Sequence, residues 1–165
     1  MLDTIVLYYT QSGVASGERG NTEIVADLIQ QALSCDILRI SSDEQTVIQN
    51  SWFMNNKRLN SILKKRPTLT SYLTADIDYQ NIIICSPCWW STFPPTVLAQ
   101  LDILNFDGKN VACVVTHEGG GQLGCYKRLQ KYCKRANRVE FESVHKDEIN
   151  KNTMRLTRWA ETCFN

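Results

Sequence analysis

The sequence predicts an α/β fold: a doubly wound, five-stranded parallel sheet in spatial order 2-1-3-4-5, layered α/β/α. Three observations lead there. The segments Ile5–Tyr9, Ile82–Cys85 and Val111–Val115 are almost continuously apolar, as strands buried on both faces are. Between strands, apolar residues return at helical spacing, and such alternation means a parallel sheet covered by helices on both sides. Two further strand candidates, Asp36–Ile40 and Arg138–Val144, alternate in polarity, with Val139 and Phe141 interleaved with Glu140 and Glu142, which suits sheet edges. Buried first, third and fourth strands with exposed second and fifth strands fit the order 2-1-3-4-5.

The first helix is carried by Ile24, Val25, Leu28, Ile29, Ala32 and Leu33. Asn21 or Thr22 can cap it, and Glu23 complements its positive end. Ser41–Asp76 is the least regular stretch, with one amphipathic helix expected over Val47–Leu63 and ended near Pro67. Val97, Leu98, Leu101 and Leu104 form the next helix, with Pro94 and Pro95 suited to its first turn. The last helix places Ile149, Leu156, Ala160 and Cys163 on one face. The 165 residues fall within the roughly 100 to 200 of one domain, so a single domain over residues 1–165 is expected.

Hydrophobic residues at 43% and charged residues at 21%, with eight Gly and four Pro, exclude a disordered or collagen-like chain. Eighteen Lys and Arg against seventeen Asp and Glu leave a formal charge of +1, so no overall field selects a nucleic acid or an anionic membrane, and neither is expected as a partner. Met1–Thr10 lacks a basic region, a long apolar segment and a small-residue cleavage site. The seven cysteines are therefore expected to be reduced thiols in a cytoplasmic protein. The longest apolar runs fall far short of the roughly 20 residues that span a bilayer.

In a doubly wound sheet, ligands bind beyond the carboxyl ends of the strands at the switch point, here between the first and third strands. The loop after strand one reads Thr10-Gln11-Ser12-Gly13 and leads through Val14–Gly20 to Asn21-Thr22 at a helix start. Hydroxyls, an amide and backbone N–H groups at a positive helix end make an anion site, most naturally for phosphate. The loop after strand three, Ser86–Pro95, carries Trp89, Trp90 and Phe93, which a flat conjugated ligand would bury and which packing against neighbouring helices would also satisfy. The loop after strand four, Thr116-His117-Glu118-Gly119-Gly120-Gly121, lets the backbone approach a ligand closely. Gly119, Gly121 and Gly124 also spell a dinucleotide fingerprint, but only about forty residues follow, too few for a nucleotide-binding half.

Together these loops resemble those of the small-flavodoxin group of flavodoxin-like flavoproteins: a Thr/Ser turn with Gly-Asn-Thr, a Pro-x-Trp-Trp-x-x-x-Pro-Pro segment and a Thr-His-x-Gly-Gly-Gly turn. The resemblance covers nearly the whole chain and implies bound FMN. By it, Thr10, Ser12, Gly13, Asn21 and Thr22 would hold the phosphate. Pro87, Cys88, Trp89 and Trp90 would lie along the isoalloxazine, and Thr116, His117, Glu118, Gly119, Gly120 and Gly121 would line its pyrimidine side. No metal is implied. One departure is the seven-residue insertion Val14–Gly20; either Ser16, Arg19 and Gly20 take over part of the phosphate grip, or the insertion is a surface flap.

A flavin in such a site exchanges one or two electrons with a small-molecule or protein redox partner. Carrier flavodoxins are generally acidic, and this near-neutral chain favours a small FMN-dependent oxidoreductase over an electron shuttle, with NAD(P)H a candidate donor and His117 a candidate catalytic residue that orients or protonates a substrate such as a quinone. Two other readings compete. Cys85-Ser86-Pro87-Cys88 is a Cys-x-x-Cys pair of the kind that performs disulfide exchange, although Trp89–Pro95 separates it from the helix such a site needs. The runs Lys57-Arg58, Lys64-Lys65-Arg66 and Lys127–Arg135 would serve a binding module, but usually mark solvated helix faces.

Overall fold

The computed structural model describes residues 3–11, 19–43, 64–76 and 79–165. The elements in chain order are β1 (Thr4–Tyr8), α1 (Asn21–Leu33), β2 (Asp36–Arg39), β3 (Ser41–Ser42), β4 (Leu69–Ser71) and β5 (Asn81–Pro87). There follow α2 (Pro95–Ile103), β6 (Asn110–His117), α3 (Gln122–Tyr132), β7 (Arg138–His145), a 3-10 turn (Lys146–Glu148) and α4 (Thr153–Thr162). The main sheet runs β2-β1-β5-β6-β7, every pair parallel, which is the expected 2-1-3-4-5 counted over its own members. The helix expected over Val47–Leu63 lies outside the described residues.

Strand alternation sorts the core into two layers. Ile5, Leu7, Ile82, Ile84, Val111 and Cys113 point to one face and pack on Val97, Leu98 and Leu101 of α2 and on Cys125 and Leu129 of α3. Val6, Tyr8, Ile83, Cys85, Ala112 and Val114 point to the other and meet Val25, Ala26 and Ile29 of α1 and Leu156 and Ala160 of α4. The long apolar runs of β1, β5 and β6 follow from this double burial.

Helix α3 is absent from the sequence expectation for a physical reason: only Cys125 and Leu129, four residues apart, are buried in it, and Lys127, Arg128 and Lys131 leave no wide apolar stripe. The N-cap of α1 is also corrected. Gly20 occupies it, with its N–H donating to the Glu23 carboxylate, so Asn21 and Thr22 are the first two residues inside the helix.

The antiparallel pair β3 and β4 is tied to α2 through a buried amide. Gln100 accepts from the Leu73 N–H at 2.7 Å and donates to the Leu73 carbonyl at 2.9 Å, so one side chain satisfies both backbone groups. Gln100→Leu strands those two groups in an apolar site, and a loss of about 2 kcal/mol is expected in urea unfolding.

Candidate functional site

A cavity of about 520 Å³ opens at the carboxyl ends of β1, β5 and β6, at the switch point of the sheet. The three loops picked out in the sequence form its walls. Thr10, Asn21 and Thr22 come from the end of β1 and the start of α1. Pro87, Cys88, Trp89 and Trp90 come from the loop after β5. Thr116, His117, Glu118, Gly119, Gly120 and Gly121 come from the loop after β6. Ser12 and Gly13 lie outside the described residues, as does most of the insertion. Of its described end, Gly20 caps α1 and Arg19 pairs with Asp27.

The hydroxyl corner is built by two elements far apart in sequence. Thr22 and Thr116 are both buried, and their hydroxyls share a hydrogen bond of 2.8 Å. A hydroxyl offers one donor and two acceptor sites, so the pair can take further hydrogen bonds beside the first-turn N–H groups of α1, which lie beyond the reach of the helix's own carbonyls.

The aromatic wall is a two-residue hairpin. Trp89 and Thr92 exchange both backbone hydrogen bonds, at 2.8 and 3.0 Å, which leaves Trp90 and Ser91 as turn residues with φ of 46° and 64°. Such turns need positive φ at both central positions and normally recruit Asn and Gly. Trp89 packs edge-on against Tyr9 and Trp90, while Trp90 is 38% exposed at the mouth. Phe93 does not join them. It is fully buried in the core with α2, so of the two readings of these aromatics, packing against a helix holds for Phe93.

The hairpin rests on the glycine loop. A Cβ at Gly121 would sit 3.0 Å from the Ser91 N, and one at Gly124 would overlap the Ser91 carbonyl. The absence of side chains at these two positions lets the second and third loops meet.

His117 has its Nδ1 buried without a hydrogen-bond partner among the described residues. Burial holds its pKa below the ordinary imidazole value, and the neighbouring His145 ring at 5.6 Å adds to this against the pull of Glu148. His145 Nδ1 accepts from the Asp147 N–H at 3.3 Å, so its Nε2 carries the proton donated to the Glu118 carbonyl at 3.1 Å. Because the unfolded chain takes up a proton on the His117 imidazole before the folded chain does, stability is expected to fall as pH drops through the ordinary imidazole range and below it. His117→Gln should flatten that part of the profile, as read from urea midpoints at pH 7.5 and 5.

Gln11, Ser91 and Lys146 also line the cavity. Lys146 pairs with Glu118 at 3.1 Å. Nothing in the sequence near residue 146 signals a site; it is the 3-10 turn after β7 that delivers the ammonium. The Cys-x-x-Cys reading fails on geometry. Cys85 is fully buried on the α1/α4 face of the sheet, and Cys88 packs on the α2/α3 face. Burial pushes the Cys85 thiol far above its ordinary pKa, which removes it as a nucleophile.

Residues 3–163 match the model of the flavodoxin family. The chain belongs to the flavodoxin family. Among solved structures it is similar to a candidate flavoprotein from Bacteroides uniformis ATCC 8492, with a TM-score of 0.75 and 21% identity over 96% of this chain and 97% of that one. A flavoprotein from Lactobacillus acidophilus NCFM, solved in complex with FMN, superposes with a TM-score of 0.66 at 19% identity over 90% and 96%. An NAD(P)H:quinone oxidoreductase from Methanothermobacter marburgensis gives 0.58 at 14% over 98% and 96%. At these identities the likeness establishes the fold. No curated protein matches the sequence. Among the described residues, no helix of this flavodoxin-family chain is long and apolar enough to cross a membrane.

Proposed function

We infer that the chain is an FMN-binding redox protein and propose that it acts as a small FMN-dependent oxidoreductase. The observation that carries the reading is the cavity in which all three loops converge. Its volume of about 520 Å³ is of the size that holds a cofactor. Its two ends differ chemically as the two ends of FMN do: hydroxyls and a helix start at one, aromatic rings and a polar-edged loop at the other. The unpartnered His117 Nδ1 fits a ligand with hydrogen-bonding groups along a ring edge.

Thr10, Asn21 and Thr22 would hold the phosphate, Trp89 and Trp90 would cover the ring and keep water from it, and the backbone of Gly119–Gly121 would meet the ring edge. Bound FMN supplies transfer of one or two electrons. His117, whose pKa its burial lowers, would orient a substrate or pass it a proton. The near-neutral charge of the chain supports an enzyme over a carrier that docks by its field.

The visible spectrum of the purified protein, followed by chromatography of what acid releases, tests the cofactor. FMN is expected, and a colourless protein that takes up no added FMN overturns the reading. Thr10→Val should weaken FMN about tenfold and riboflavin hardly at all, since one hydrogen bond to a charged group is lost. Equal loss for both ligands would remove Thr10 from the phosphate site. NAD(P)H-dependent quinone reduction, the activity named for one of the fold neighbours, is the first turnover assay; a protein that is reduced but turns over no quinone would be a carrier.

A further inference from the structure

Cys88 and Cys125 meet between the loop after β5 and helix α3, their sulfurs 3.5 Å apart, with the Cys125 thiol donating to Cys88. Of the seven cysteines, all among the described residues, six are buried and Cys88 is half-buried at the cavity wall. A disulfide of about 2.05 Å is therefore roughly 1.5 Å of sulfur movement away. We propose that Cys88 and Cys125 are a peroxide-reactive dithiol, in which Cys88 is the attacking sulfur and Cys125 closes the disulfide behind it.

The two thiols are unlike in the way that division of labour requires. The hydrogen bond from Cys125, helped by one from the Ser91 backbone and opposed by burial, holds Cys88 below the ordinary thiol pKa. The same contact, with burial, pushes Cys125 up, so it stays protonated as the donor. Arg128 on α3 and Cys113 on β6 are the other titratable or charged groups felt by the pair. A thiolate that is reachable from a cavity is the reactive form.

The chemistry balances with a hydroperoxide as oxidant. The Cys88 thiolate attacks one oxygen of hydrogen peroxide, an S–O bond forms, the O–O bond breaks and hydroxide leaves, giving Cys88 sulfenic acid. Once Cys88 is no longer a thiolate, the main cause that held Cys125 protonated is gone, and the Cys125 sulfur attacks the adjacent Cys88 sulfur as it gives up its proton. The S–S bond forms, the S–O bond breaks, and the departing hydroxide takes the Cys125 proton as water. Two thiols are oxidised by two electrons and the peroxide is reduced. The product fastens the segment that carries Trp89 and Trp90 to α3. The inference rests on this chain's own thiols, of which Cys88 shares its cavity wall with the proposed flavin site, and the visible spectrum tests the cofactor reading by itself.

The reduced protein, as purified, is treated with one equivalent of hydrogen peroxide at pH 7, denatured in an alkylating agent, digested and analysed by mass spectrometry. A Cys88–Cys125 cross-linked peptide that dithiothreitol reverses is expected, with the other five cysteines alkylated. Cys125→Ser should give no cross-link and a dimedone-trappable sulfenic acid at Cys88; Cys88→Ser should give neither. Cys125→Ala, which loses the donor that serine keeps, should slow oxidation of Cys88 roughly tenfold. Recovery of both residues as free thiols, or oxidation of Cys88 no faster than that of an unstructured cysteine peptide, overturns the proposal. If the alanine variant fails to fold, the serine variants decide it.

Discussion

Gly124→Ala is expected to lower folding stability by about 3 kcal/mol and to weaken FMN binding with it. The added Cβ would overlap the Ser91 carbonyl oxygen and lie 2.7 Å from the Ser91 Cβ and 2.9 Å from its carbonyl carbon. Two of those three atoms are backbone, so no side-chain rotation relieves the clash. Relief requires moving either the first turn of α3 or the Trp90–Ser91 turn. That turn already holds two non-glycine residues in the left-handed region, at about 1–2 kcal/mol each. It has no easy direction in which to give, and displacing it carries Trp90 away from the cavity mouth. Gly119→Ala is the matched control: its Cβ meets nothing within 4 Å and its φ is not positive, so a change under about 0.5 kcal/mol is expected. Urea unfolding of both variants and FMN titration by fluorescence quenching read the two effects. A Gly124→Ala protein as stable as its parent would mean that the two loops do not meet there.

Most of the sheet was legible because central and edge strands of a parallel sheet differ in composition: Val111–Val115 is buried on both faces and cannot afford charges, whereas Glu140 and Glu142 can stay at an edge. The loop residues that line the cavity were legible for a related reason, since the switch point follows from strand order and the unusual loop compositions sit on those strands. What stayed hidden comes from contacts between distant residues. Lys146 enters from the 3-10 turn beyond β7, and the Thr22–Thr116 hydrogen bond joins hydroxyls 94 positions apart. Helix α3 hid behind its polar surface, and the β3–β4 ladder is too short to leave a period. One pattern, Cys-x-x-Cys, was misleading. Cys85 is an inward residue of a central strand, committed to the core of the α1/α4 face, while Cys88 follows the strand and packs on the other face, so the two thiols do not meet.

The two tryptophans sit differently in the wall, one packed inside it and one in the turn at the mouth, and this separates what each should do. Trp89→Ala is expected to raise the FMN dissociation constant about a hundredfold, near 2.7 kcal/mol, and to lower stability as well. Its ring packs on Tyr9 and on the core beneath, so truncation opens a gap inside the wall as well as removing the surface a flavin would stack on. Trp90→Ala should weaken FMN about tenfold while leaving the urea midpoint unchanged, because its ring stands 38% exposed at the mouth and alanine suffers the same positive φ. Trp90→Gly sharpens the comparison. It removes the same ring but relieves the left-handed backbone, so it should bind FMN as weakly as the alanine variant and unfold at a higher urea concentration, by about 1 kcal/mol. Unchanged affinity in both alanine variants would mean that neither ring covers the cofactor, and the aromatic wall would then be structural, serving to hold the turn against Gly121 and Gly124.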